Sequence, residues 1–292
     1  KDLVSAAGKF SDQSTTIQCV TAQIAVEEYL QFKKPQLRER TFEQEAQRLR
    51  RFSKAFVCSI PELSRDSLRT WIDSLRVRNS MKRLTAKTKN HFRASIRTFL
   101  NWCVDKDYLE ENHRLNAALK GERIQNTKPI EIYTPDEFGS ILKASTGTIR
   151  ILIAIAGFAG LRTAELLRLH REDILPEHIQ VGKEKAKTRQ RRLIPICNSL
   201  KLILQNSEHS AGPIWPTTKS TFYRDLEIIF AKAKVKQKAN AFRHSFCSYR
   251  LAHTSDENLT AREAGTSPAM IYRHYGEVVT EKKGLQWFSQ KT

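Results

Sequence analysis

From Thr21 onward, apolar residues return at three- and four-residue steps: Ile24, Ala25, Tyr29 and Leu30. That period places them on one stripe of an α-helix. The same spacing predicts helices near 40–56, 64–76 and 86–106, with breaks at Pro61 and at 78–80. In the last of these, Phe92, Ile96, Phe99, Leu100 and Cys103 make the apolar stripe, while Lys89, Arg93 and Arg97 stand on another face. Thr134-Pro135-Asp136-Glu137 reads as a capping box that opens a new domain. An apolar helix over 149–158 follows, then a turn at Gly157 and Gly160 and a second helix over 162–169. Residues 178–181 and 192–196 have short strand character and are joined by a very basic hairpin. Helices are predicted again near 198–206, 219–234, 240–253 and 257–264, then a short piece carrying Tyr272 and Tyr275. The expected organisation is a polar leader (1–18), an all-helical domain (19–113), a linker (114–133) and a mostly helical domain with a small β-hairpin (134–292). The fold class is mainly α.

A chain of 292 residues can hold two such domains, each burying its own core. The longest apolar run, 151–159, is too short for a membrane span, and the first 30 residues lack the layout of a secretory signal. Five scattered cysteines (Cys19, Cys58, Cys103, Cys197, Cys247) form no C-x-x-C pair, which points to reduced thiols rather than a disulfide framework or a zinc site. Neither a P-loop nor clustered carboxylates are found. The net charge of +19 changes the picture most. Polyanions suit such a surface, because each neutralised phosphate releases a counterion. Arg76, Arg78, Lys82, Arg83, Lys87, Lys89, Arg93 and Arg97 follow one another with no acid between them. This uncompensated stripe beside an apolar stripe predicts a helix packed inward and facing a DNA backbone outward.

Four segments of the second half carry a more specific signal. Ala159-Gly160-Leu161-Arg162-Thr163-Ala164-Glu165-Leu166 resembles the A-G-L-R-x-x-E-L box of the tyrosine recombinase (phage integrase) family. The hairpin Lys187-Thr188-Arg189-Gln190-Arg191-Arg192-Leu193-Ile194-Pro195 resembles the segment bearing the family's catalytic Lys, with Lys183 and Lys185 as rivals to Lys187. Asn240-Ala241-Phe242-Arg243-His244-Ser245-Phe246 is similar to the H-x-L-R-H-[ST]-F box, with Asn240 where the family has its His. Gly265-Thr266-Ser267 through Tyr275 is similar to the G-H-S…Y box, with Thr266 in place of His or Trp. Residues 84–109 resemble the last helix of the family's core-binding domain, so the resemblance spans about residues 20–280.

The resemblance implies that Arg162 and Arg243 hold a scissile phosphate, Lys187 protonates the leaving 5′-hydroxyl, and Tyr275 is the nucleophile with Tyr272 as competitor. These residue types suit the chemistry. A phenol needs help to attack as phenolate, and two guanidiniums hold a phosphate bidentately while stabilising charge on its oxygens. Asn240 and Thr266 can position phosphate oxygens but cannot take up a proton; His274, beside Tyr275, is a candidate substitute, and His244 corresponds to a packing residue. The implied function is site-specific cleavage and rejoining of duplex DNA through a 3′-phosphotyrosine, as in DNA integration by mobile elements. The alternatives are a DNA-binding protein that has lost this chemistry, or an unrelated helical nucleic-acid scaffold. No metal, no small-molecule cofactor and no membrane are implied. The expected partners are double-stranded DNA, clamped between the two domains, and further copies in a homo-tetramer on the DNA, with a monomer when free. The expected location is the cytoplasm, at the nucleoid of a prokaryote or with a phage. In the tail after Tyr275, Trp287 and Phe288 are anchors for either a neighbouring protomer or their own domain.

Overall fold

The structure is a computed structural model and describes residues 17–124, 129–182, 191–205, 211–276 and 279–290. The chain divides into two compact units between Thr127 and Lys128.

The first unit is built on four helices: α1 (Ala22–Lys33), α2 (Glu39–Ala55), α3 (Arg65–Ser74) and α4 (Ala86–Asp105). Three start where the sequence supplies a hydroxyl cap: Thr21, Ser64 and Thr85 each accept a hydrogen bond from the backbone N–H three residues on. Their apolar stripes meet in one core around Tyr29, Leu49, Phe52, Ile72, Ile96 and Phe99. Tyr29 and Phe52 both pack edge-on to Phe99, at 5.5 and 5.9 Å between ring centres. Each such buried side chain contributes about 1.5–3 kcal/mol relative to exposure. The expected linker is not all linker. Leu115 and Leu119, on a 3-10 turn (Leu115–Leu119), are buried in this first core, whereas Tyr133 is buried in the second.

The second unit contains α5 (Pro135–Ala144), α6 (Gly147–Ala159), α7 (Thr163–Leu166), β1 (His178–Val181), β2 (Arg192–Pro195) and α8 (Asn198–Gln205). It continues with α9 (Lys219–Ala233), α10 (Ala241–Thr254), α11 (Glu257–Ala264), α12 (Pro268–Tyr275) and α13 (Glu281–Phe288). The capping box forms as expected: Thr134 accepts from the Glu137 N–H, and the Glu137 carboxylate accepts from the Thr134 N–H. The strands pair antiparallel, His178 opposite Pro195 and Val181 opposite Arg192. Residues 151–159 of α6 are buried on every side, as a helix apolar all round must be, and α6 packs against α10.

One expectation is corrected and one open alternative is decided. The second helix is four residues long instead of eight, because after Leu166 the backbone bonds tighten to i−3 (Arg168 to Glu165, Leu169 to Leu166) and the chain turns away. The tail beyond Tyr275 forms the unpredicted α13, and it packs on its own domain. Trp287 is fully buried, stacked 4.4 Å from Phe138 and 4.5 Å from Tyr249, and its indole N–H donates to the Gly157 carbonyl. The five cysteines are all free thiols. Among the described residues, no helix is long and apolar enough to cross a membrane.

Candidate active site

Two glycines in left-handed conformation shape the site. Gly160 (φ 62°) ends α6, and a Cβ there would stand 2.2 Å from Phe246. Gly265 (φ 66°) ends α11, where a Cβ would stand 2.9 Å from the Arg192 guanidinium. The carbonyls around these turns hold two arginines. Arg243, on the first turn of α10, donates through Nη1 to the carbonyls of Gly160 (2.8 Å) and Ala264 (2.7 Å). Arg162, the N-cap of α7, donates through Nη2 to the Gly265 carbonyl and through Nη1 to Glu165 (2.9 Å). Both guanidiniums line one cleft of about 760 Å³, with Thr163, Lys219, Tyr223, Lys238, Asn240 and His244 among the other lining residues. Burial and the neighbouring Arg162 push the Arg243 pKa down from its ordinary value.

Glu165 holds this arrangement from beneath. It is 1% exposed, accepts from the Arg162 N–H (3.0 Å), and pairs with Arg192 of β2 at 2.7 Å, itself nearly buried. Burial alone would raise its pKa, but the Arg192 and Arg162 guanidiniums outweigh that and hold it below the usual carboxylate value. Arg192 also donates to the Glu263 carbonyl, and the Glu263 carboxylate takes a two-pronged bond from Arg250 (2.7 and 2.8 Å).

Tyr275 ends α12, half-buried, with its hydroxyl 2.7 Å from His244 Nδ1. Burial pushes its phenol well above the ordinary tyrosine pKa. Tyr272 is 71% exposed. Of the expected site residues, Arg162, Arg243 and Asn240 share the cleft, and Tyr275 joins them through His244. Thr266 does not. It lines a separate recess of about 240 Å³ with Arg192 and Gly265, and its N–H is bonded to the Ala261 carbonyl. Lys183, Lys185 and Lys187 lie outside the described residues. Sequence reasoning missed the contact of His244 with the tyrosine, and it missed Lys238. Lys238 is tied to Glu137 (2.9 Å) and to the Ile132 carbonyl (2.9 Å), which fixes the segment leading into Asn240. His244 lies in the box that carries Arg243 but is read there as a packing residue, and Lys238 carries no motif. Among the described residues no group of three His, Cys, Asp or Glu is placed to hold a metal ion.

The expected DNA face of the first unit needs correction. Arg76, Arg78, Lys82 and Arg83 sit exposed on a hairpin between α3 and α4, closed by bonds from the Val77 N–H to the Lys82 carbonyl and from the Leu84 N–H to the Leu75 carbonyl. Lys87 is exposed at the start of α4. Arg93, however, is buried and paired with Glu122 (2.7 Å) and Asp73 (3.6 Å). Lys89 also meets Asp73 (3.6 Å), and Arg97 donates to the Leu119 carbonyl. Lys89 and Arg93 are compensated by acids on α3 and on the segment after α4, distant in sequence, whereas Arg97 remains exposed.

No protein-family model matches the chain, and no curated protein matches it in sequence. Solved structures do. The chain is similar to lambda integrase in a tetramer bound to a Holliday junction, with TM-score 0.71, 13% identity, and 90% of this chain and 80% of that one covered. It is similar to the XerH site-specific recombinase bound to difH substrate before cleavage, with TM-score 0.64, 17% identity, and 90% and 96% covered. It is also similar to the Tn1549 transposon integrase in complex with circular intermediate DNA, with TM-score 0.64, 17% identity, and 94% and 100% covered. At these identities the likeness is one of fold.

Proposed function

We propose that this chain, which has the fold of the tyrosine recombinases, is a site-specific DNA recombinase that cleaves and rejoins duplex DNA through a 3′-phosphotyrosine at Tyr275. One observation carries the reading: two carbonyl-anchored guanidiniums, Arg162 and Arg243, share a cleft with the histidine that holds the Tyr275 hydroxyl. The bonds to Gly160 and Ala264 use Nη1 of Arg243 and leave Nε and Nη2 for a non-bridging phosphate oxygen. Because both arginines are oriented before substrate arrives, they stabilise charge building on the phosphoryl oxygens with little reorganisation. Attack by Tyr275 then expels the 5′-hydroxyl, protonated by Lys187 on the family resemblance, and the reverse attack by a 5′-hydroxyl rejoins the strand. Asn240 at the cleft donates a hydrogen bond from its side-chain amide to a phosphate oxygen. The exposed residues Arg76, Arg78, Lys82, Arg83 and Lys87 contact the DNA backbone, and further copies complete a homo-tetramer on the DNA.

The test is covalent trapping on duplexes spanning the ends of the genomic segment that encodes the chain, followed by denaturation in detergent. The expected result is a protein–DNA adduct with wild type and with Tyr272→Phe, and none with Tyr275→Phe. Tight binding without any adduct would identify instead a DNA-binding protein that has lost its chemistry.

A further inference from the structure

Resting on the recombinase reading of this site, we propose that His244 is the base that takes the Tyr275 phenolic proton during attack and returns it during rejoining. The contact is direct: Nδ1 lies 2.7 Å from the hydroxyl, with ring centres 5.9 Å apart, so the rings meet through the nitrogen and are not stacked. The two residues sit 31 positions apart on α10 and α12, and only the packing of those helices brings them together. Other candidates fail on position or chemistry. Asn240 has an amide, which takes up no proton near neutral pH. The His274 ring centre is 6.4 Å from that of Tyr275 at 72°, whereas His244 Nδ1 lies within hydrogen-bond distance of the hydroxyl. The Cys247 thiol beside Tyr275 is buried, which pushes its own pKa up and keeps it protonated.

The charged and titratable groups facing His244 are Arg243 and Cys247 on its own helix and Tyr275 and His274 on α12. Burial, then Arg243, then His274 push its pKa below the ordinary histidine value, so the ring is neutral near pH 7 and its lone pair is available. Burial likewise keeps the phenol protonated while no phosphate is bound. A phosphodiester gripped by Arg162 and Arg243 brings a negative charge that offsets Arg243, which makes the imidazolium easier to form when the substrate is present. In the forward step the Oη–P bond forms, the P–O5′ bond breaks, the Oη proton moves to Nδ1, and O5′ takes a proton from water or a general acid. Rejoining reverses each transfer, and the imidazolium beside Arg243 gives the proton back to the departing phenolate.

The experiment compares wild type, His244→Asn and Lys187→Ala on the cleaved duplex, with either oxygen or sulfur bridging the scissile 5′ position. A sulfur leaving group needs no proton, so it bypasses the acid but not the base. His244→Asn should form adduct on the order of 10²–10⁴-fold more slowly on both substrates, while its DNA affinity, read by filter binding, stays at the wild-type value. Lys187→Ala should recover on sulfur. If His244→Asn does not fold, the wild-type rate on the sulfur substrate decides. It should fall in acid with protonation of one group near or below the ordinary histidine value of about 6.5; a rate flat from about pH 5 to 8 overturns the assignment. So does wild-type speed in His244→Asn, or its rescue by sulfur. A wild type that forms no adduct at all sinks the recombinase reading itself, a result distinct from an active enzyme indifferent to His244.

Discussion

At the scale of single residues, the site is organised by groups that never need to touch a ligand. Glu165 is the hinge of this organisation, because one buried carboxylate orients Arg162 and neutralises Arg192. Removing one member of a buried pair strands the other charge, which costs about 3–5 kcal/mol. Glu165→Ala is therefore expected to lower the unfolding free energy of the second unit by about that much at neutral pH, measured by urea denaturation. The pH dependence has a definite sign. A carboxylate held below its unfolded pKa contributes stability that is fully present above the unfolded value, about 4.3, and is lost as pH falls through the folded one. The wild-type melting temperature should drop in that acid range, and the Glu165→Ala curve should be shallower there. Parallel curves would mean that Glu165 is not the titrating group.

At the scale of elements, α13 closes the second core through one residue. Trp287 is stacked between Phe138 of α5 and Tyr249 of α10, and it hydrogen-bonds the α6 backbone, so a single side chain fastens three helices. Trp287→Ala should cost about 3–5 kcal/mol, read as a lower urea midpoint. A loss below about 1 kcal/mol would show that the tail does not rest on this core in solution. Helix α4 shows the opposite relation between pattern and role. Its Lys89, Arg93 and Arg97 look like an outward basic stripe, yet Lys89 and Arg93 are paired with Asp73 and Glu122, while Arg97 stays exposed and donates to the Leu119 carbonyl. Lys89 and Arg93 tie α4 to its neighbours, and Arg97 and the neighbouring hairpin carry exposed charge.

At the scale of the whole molecule, the net charge of +19 dominates. Each phosphate neutralised contributes a slope of about −0.9 to log K against log salt. DNA affinity should therefore fall steeply with added salt. Replacing exposed Arg78 and Lys82 together by Ala should reduce the slope by about 2, measured by fluorescence anisotropy on a labelled duplex. An unchanged slope would remove the hairpin from the DNA interface.

Most helix positions were legible in the sequence because they depend on local signals: the caps at Thr21, Ser64, Thr85 and Thr134, and apolar positions at helical spacing; α13 was not, and α7 is shorter than its pattern. The segments bearing Arg162, Arg243 and Tyr275 stood out through their resemblance to the short boxes of the tyrosine recombinase family, each a local run of sequence. Contacts between distant positions were not. His244 meets Tyr275 across 31 residues, Arg93 meets Glu122 across 29, and Trp287 meets the Gly157 carbonyl across 130. Periodicity says which face of a helix is apolar, but not which neighbour covers it. The sequence by itself thus determined most of the elements, the charge and the chemistry-bearing residue types. Only the tertiary structure decided which cations are neutralised, where the tail rests and which histidine holds the tyrosine, because each depends on how separate helices pack.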